Sequence, residues 1–187
     1  MDLSESLVAE LQMQFEGVEP DLRFRDEAQA MHVCELALKS LLRGTYGVGA
    51  LVMDDQHRVW AEAGNEMLAE RFNSAGHAEM QVLDCLESLE GAPPSQSLSL
   101  LVSLEPCPMC LSRALYAGIG EIIYLVEDGE GGMVHLRDNL PPAQRELAKL
   151  CKFRRADVSE PLRQLARQLS QAGLKSHREE LIHLRAS

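Results

Sequence analysis

Residues 98–126 read LSLLVSLEPCPMCLSRALYAGIGEIIYLV, and this stretch decides the fold. Leu98 to Leu104 is nearly continuous apolar sequence, as expected of a strand buried on both faces. Glu121-Ile122-Ile123-Tyr124-Leu125-Val126 is a second run of the same kind. Between them, Cys107 precedes a proline, which keeps it out of helical dihedrals and suits it to an N-cap position. Pro108 then fits the first helical position, where its missing N–H costs nothing. Leu111 to Ala117 continues the helix and Gly118 is a natural stop. Strand, helix and strand joined by so short a crossover imply a parallel, right-handed pair.

Upstream, Arg25 to Leu42 carries helical apolar spacing through Ala28, Met31, Cys34, Leu36 and Leu38, ending at Gly44. Gly47 to Met53 and Arg58 to Ala63 read as a hairpin around Asp54-Asp55-Gln56-His57. His77 to Leu89 reads as a helix with Val82, Cys85, Leu86 and Leu89 on its inward face, and Gly91 to Ser97 as a connection. Downstream of a Gly-rich loop at Asp128–Gly132 come a helix over Pro142 to Leu150, an edge strand over Lys152 to Asp157 and a helix over Glu160 to Ala172. Ser176-His177-Arg178-Glu179 resembles a capping box opening a last helix. The expected architecture is α/β, a three-layer α/β/α sandwich with a mixed, mostly parallel central sheet. Residues 1–24, with a short amphipathic helix over Leu3 to Phe15, read as an N-terminal extension, and residues 25–187 as a single domain ending in helices.

The chemistry-bearing residues are His77-Ala78-Glu79 and, about thirty residues later, Pro106-Cys107-Pro108-Met109-Cys110. They supply one imidazole, two thiolates and one carboxylate. Structural zinc sites take four protein ligands, whereas catalytic ones take three and leave a position open. Three ligands with a carboxylate nearby match the open kind. Spacing alone does not bring Glu79 to His77, because residues two apart on a regular helix point to nearly opposite faces. An irregular helix entry after Gly76 would remove the difficulty. Taken singly, a C-x-x-C pair is also compatible with a thioredoxin-like redox site or half of a closed zinc site. The redox reading leaves His-Ala-Glu unexplained. A closed site would recruit Cys34, Cys85 or Cys151, which stand alone in apolar patterns and read as small buried hydrophobes.

Together the two motifs are the H-x-E…P-C-x-x-C signature of zinc deaminases, and the chain resembles the cytidine-deaminase-like superfamily. Leu104-Glu105-Pro106-Cys107 followed by a two-residue gap is similar to the guanine deaminase and tRNA adenosine deaminase branch. The resemblance runs from about Arg25 to about Ala172. It implies Zn2+ held by His77, Cys107 and Cys110, with Glu79 moving protons between water and a ring nitrogen. It further implies a base-binding role for Asn65 and, by position after the second parallel strand, for Glu130, with Asp128 as its competitor. The family usually carries Asp-Pro-Thr-Ala before His-Ala-Glu; this chain has Asn73-Ser74-Ala75-Gly76. The leading expectation is hydrolytic deamination of a free aminated purine or related heterocycle, guanine first. The alternatives are tRNA-specific adenosine deamination, cytosine or nucleoside deamination, and an inactive zinc-binding module. A carboxylate beside the ligands speaks against the last.

Composition sets the outer bounds. The chain has 187 residues, 45% of them hydrophobic, enough for a full core. Eighteen basic against twenty-nine acidic side chains give a net charge of -11. Affinity for nucleic acid draws on phosphate neutralisation, so the expected partner is a small nucleobase or nucleoside rather than a nucleic acid. Lys152, Arg154 and Arg155, and Arg163, Arg167, Lys175 and Arg178, are interspersed with acids and read as a solvated mixed-charge face. A homodimer is expected from the resemblance and from the prevalence of two-fold assemblies. Five cysteines, no signal-peptide pattern at Met1 to Pro20 and no membrane-length apolar run point to the cytoplasm.

Overall fold

The two apolar runs become β3 (Ser99–Leu104) and β4 (Glu121–Val126), paired in parallel with Leu101 opposite Ile123. The computed structural model describes residues 5–186. Three strands complete the sheet: β1 (Gly49–Met53), β2 (Val59–Gly64) and β5 (Lys152–Arg155), in the order β2-β1-β3-β4-β5. β1 runs antiparallel to both its neighbours, while β4 and β5 are parallel. The sheet is therefore mixed, with its parallel part confined to β3, β4 and β5.

Period-two alternation along these strands sorts the apolar side chains into two cores. Leu51, Met53, Leu101, Ile123 and Leu125 face one side, where they pack with α1 (Glu5–Gly17), α2 (Glu27–Leu42) and α6 (Glu160–Gln171). Ala50, Val52, Leu100, Val102, Ile122 and Tyr124 face the other. There they meet α3 (Ala78–Glu87), α4 (Pro108–Tyr116) and the region of α5 (Pro142–Ala148). This is the three-layer sandwich. Leu11 of α1 is buried in the same core as α2 and α6, so residues before Arg25 contribute to packing.

Polar anchors join the start of α2 to the far end of the chain. The fully buried Asp26 accepts two bonds from the Arg154 guanidinium and one from the Asp157 N–H. Glu27, also fully buried, accepts from the Ser159 N–H and hydroxyl and from the Asp21 N–H. Arg163 donates to the carbonyls of Leu125 and Ala156. Arg154 and Arg163 are thus internal clamps, not parts of a solvated mixed-charge face: their long guanidiniums reach backbone and carboxylate groups left over at strand ends.

Three local expectations change. Cys85 is exposed, and α3 turns Ala78, Val82, Leu83 and Leu86 inward instead. Leu89 lies past the end of that helix and is largely exposed. The capping box at Ser176 does not form, because α7 (Leu174–Ala186) begins two residues earlier, just after Gly173 in the left-handed region at φ 69°. The Ser176 hydroxyl instead donates back to the Gly173 carbonyl.

Candidate active site and metal centre

Two helix entries build the centre. His77 is not part of α3 but its N-cap, with extended dihedrals (φ -70°, ψ 144°), and Glu79 sits in the first turn. The break in helical geometry between them removes the facing problem of an H-x-E on a regular helix. Cys107 is the corresponding N-cap of α4 (φ -69°, ψ 170°), with Pro108 in the first turn and Cys110 buried in the same turn. Both helices present the positive ends of their dipoles here, which favours anionic groups.

His77, Cys107 and Cys110 converge with their ligand atoms all within 4.8 Å of one another. His77 Nδ1 lies 3.5 Å from Cys110 Sγ and 3.8 Å from Cys107 Sγ. A tetrahedral zinc with Zn–S of ~2.3 Å and Zn–N of ~2.0 Å separates N and S ligands by about 3.5 Å. The donor set and its spacing fit that ion, and three protein ligands leave one position for water.

The electrostatics are those of a compact, anion-holding cluster. Glu79 is 4% exposed. Burial, and then the charge of Cys107, raise its carboxyl to about 7. Cys107 is lowered to about 4, first by the hydrogen bond from the Cys110 thiol and then by His77. Cys110 is pushed well up, because it donates to Cys107 and is itself buried. Burial opposes charging of the His77 ring, but the contact with Cys107 and the charge of Glu79 outweigh it and raise its pKa. A divalent ion bound by these three groups would displace their protons, so its occupancy would depend on pH.

Asn65 follows β2 and is 3% exposed. Its Oδ1 accepts from the Thr45 hydroxyl at 2.8 Å and the Met67 N–H at 2.9 Å. Thr45, fully buried, had no signal in the sequence; its hydroxyl also accepts from the Leu68 N–H. The loop from Glu66 to Gly76 folds back on itself, with the Glu66 N–H on the Gly76 carbonyl. A Cβ at Gly76 would stand 2.8 Å from Met67 N and 2.9 Å from Met67 Cα, so only glycine lets this loop close beside His77. Glu130 is not brought together with the ligands. It is 86% exposed and paired with Arg178 of α7. The cavity of about 240 Å³ that it lines with Leu104, Asp128, Ser170, Gln171 and Arg178 includes none of His77, Glu79, Cys107 or Cys110. Asp128 turns inward to accept from the N–H groups of Glu130 and Gly131.

The cytidine and deoxycytidylate deaminase zinc-binding region matches residues 25–126. The chain belongs to that family. The matched family region is a zinc-binding one, and among the described residues His77, Cys107 and Cys110 lie close enough together to hold such an ion. It is 34% identical over 97 residues to a tRNA(Ile)-lysidine synthase of Deinococcus radiodurans, covering 52% of this chain and 16% of that protein. It is 32% identical over 111 residues to a tRNA-specific adenosine deaminase of Agrobacterium fabrum, covering 57% of this chain and 72% of that one. The chain thus spans about a sixth of the lysidine synthase, as one segment of a longer protein. Among solved structures, a tRNA:A34 deaminase studied for A-to-I editing superimposes with TM-score 0.62 at 24% identity, over 76% of this chain and 99% of that chain. A guanine deaminase from Nitrosomonas europaea does so with TM-score 0.59 at 21% identity, over 81% and 88%. Both likenesses are of fold.

The expectation against a nucleic-acid partner is overturned by these relatives, several of which are tRNA-specific adenosine deaminases. Net charge is the wrong quantity for this question. A total of -11 sums over the whole surface, whereas phosphate binding responds to the local field around one site. Among the described residues no helix is long and apolar enough to cross a membrane.

Proposed function

We propose that this chain is a zinc-dependent hydrolase that replaces an exocyclic amino group of a purine ring with a carbonyl and releases ammonia, with adenosine in transfer RNA as its leading substrate. The observation that carries the deaminase reading is the buried Glu79 beside a three-ligand cluster, since a closed structural zinc has no use for it. His77, Cys107 and Cys110 hold the metal, and zinc there supplies the Lewis acidity that makes water nucleophilic near neutral pH. Glu79 takes the water proton and passes it to the ring nitrogen; it then takes the proton of the newly added hydroxyl and delivers it to the departing amine, leaving a carbonyl and ammonia. A carboxyl raised by burial suits that exchange, because proton shuttling is most effective when the pKa lies near the working pH. Asn65 spends both lone pairs of Oδ1 on Thr45 and Met67, which fixes the carboxamide and leaves its N–H groups for an acceptor on the base.

Support for a tRNA substrate comes from the relatives that share sequence as well as fold. Free guanine is the competing substrate, and one assay separates the two. Zinc-loaded protein is incubated with tRNA transcripts, scored for inosine by nuclease digestion and mass spectrometry. In parallel it is incubated with guanine, adenine, cytosine and their nucleosides, scored for ammonia. Inosine in tRNA is the expected result. Ammonia from guanine alone reverses the substrate assignment, and no product from any of them removes the deaminase reading.

A further inference from the structure

Glu105 stands between the end of β3 and the Pro106-Cys107 turn, and its side chain is fully buried. Its backbone N–H extends the sheet by donating to the Val126 carbonyl at 2.8 Å. The carboxylate then does something the sheet does not require. Oε2 accepts from the Asp128 N–H at 3.1 Å, and Oε1 accepts from both the His135 N–H and His135 Nδ1 at 2.8 Å each. One carboxylate therefore holds both ends of the loop 128–135.

The loop is shaped around that group. A Cβ at Gly132 would lie 2.6 Å from the Glu105 carboxyl carbon and 2.6 Å from the Asp128 carbonyl oxygen, so the glycine is required by the carboxylate it wraps. The next residue, Met133, donates its N–H at 2.9 Å to the carbonyl of Pro106, the residue immediately before the ligand Cys107. The loop is thus pinned to the turn that carries a metal ligand. Burying a carboxylate is costly unless it is fully hydrogen-bonded, and packing alone would be served by an apolar side chain. A group retained at that cost, with all its bonds directed to one loop, acts on the loop.

Resting on the deaminase reading above, we infer that Glu105 is a positioning residue for the reaction: it locks the loop 128–135 against the metal-bearing turn so that this loop forms a fixed wall for the substrate. His135 is its exposed-side partner, donating from Nδ1. The lock acts on the loop and reaches the metal-bearing turn only through the Met133–Pro106 bond, so its loss weakens substrate binding more than the chemical step.

The decisive variants are Glu105→Gln, His135→Leu and His135→Asn, each prepared with zinc. Gln presents an N–H2 to a backbone N–H in place of an acceptor. A buried donor left unpaired in this way raises loop opening about ten- to hundred-fold. Amide hydrogen exchange at Gly131, Gly132 and Met133 accelerates by that factor in Glu105→Gln and His135→Leu. Zinc content stays at the wild-type level. KM for the substrate found above rises by ~10-fold or more while kcat stays within ~3-fold, the signature of lost binding rather than lost chemistry. His135→Asn keeps a side-chain donor near the Nδ1 position and returns KM to within about 3-fold of wild type. Unchanged exchange and unchanged KM in Glu105→Gln and His135→Leu overturn the inference. So does a fall in zinc content, or in kcat at constant KM, which makes Glu105 a scaffold of the metal turn. Should Glu105→Gln fail to fold, the partly exposed His135 variants give the same answer. If wild-type protein turns over no substrate, the deaminase reading fails, and the exchange rates still decide whether Glu105 locks the loop.

Discussion

Asp26→Asn tests how the start of α2 is held to β5 and the turn that follows it. Asp26 is fully buried, and its carboxylate faces the Arg154 guanidinium through Nη1 and Nη2 and takes the Asp157 N–H at 2.7 Å. Asparagine keeps the shape but loses the charge and one acceptor, so the bidentate contact fails. Breaking a buried ion pair by removing one partner costs about 3–5 kcal/mol. Here Arg154 is 24% exposed and retains Glu121 at 3.1 Å, so water and a second acid relieve it in part. The expected loss is about 2–3 kcal/mol, read by urea denaturation at pH 7. The pH dependence has a definite sign. Burial works against the Asp26 carboxylate, but the Arg154 hydrogen bonds, the Asp157 N–H and the positive charges nearby outweigh it and hold its pKa below the ordinary value. A group depressed in the folded state stabilises fully above its unfolded pKa of about 3.9, and that contribution disappears as pH falls through the folded pKa. The difference between wild type and Asp26→Asn is therefore full at pH 7 and shrinks below about pH 4. A difference under ~0.5 kcal/mol at pH 7, or one that grows on acidification, would refute the reasoning, because exposed pairs contribute only that much.

Glu79→Gln is expected to lower turnover by at least the ~100-fold typical of general acid–base groups while zinc content by elemental analysis stays normal; wild-type turnover in this variant contradicts the proton-shuttle role. Cys107→Ala and Cys110→Ala each remove one of three ligands, so both should lose bound zinc on dialysis and melt at lower temperature, and full retention in both refutes the ligand set. Gly76→Ala places a methyl carbon 2.8 Å from the Met67 backbone nitrogen, so the loop beside His77 has to move. The expected cost is about 1–3 kcal/mol in chemical denaturation, and an unchanged denaturation midpoint means that the loop yields without strain.

The sequence by itself determined most of what depends on short-range pattern, though not the inward face of α3 or the start of α7. The runs Leu98–Leu104 and Glu121–Val126 read as buried strands and Cys107-Pro108 as a helix opening, because these are properties of hydropathy and of the proline ring, and the structure has them so. The candidate ligand set His77, Cys107 and Cys110 was legible through the resemblance its motifs carry, and the structure brings those three side chains together. Where two readings differed by a few degrees of backbone, the sequence was silent. His77 and Glu79 share a site only because His77 is extended, a consequence of the loop that Gly76 allows to close on Met67. The polar contacts that span the chain were also invisible in sequence. Asp26 with Arg154, Glu27 with Ser159, Thr45 with Asn65 and Glu105 with His135 join residues between 20 and 132 positions apart. Charge in the sequence does not say which partner a side chain will meet; Arg154 and Arg163 read as surface and became clamps. Only the tertiary structure decides such pairings, because a buried polar group takes whichever partner the packed layers bring within hydrogen-bond reach.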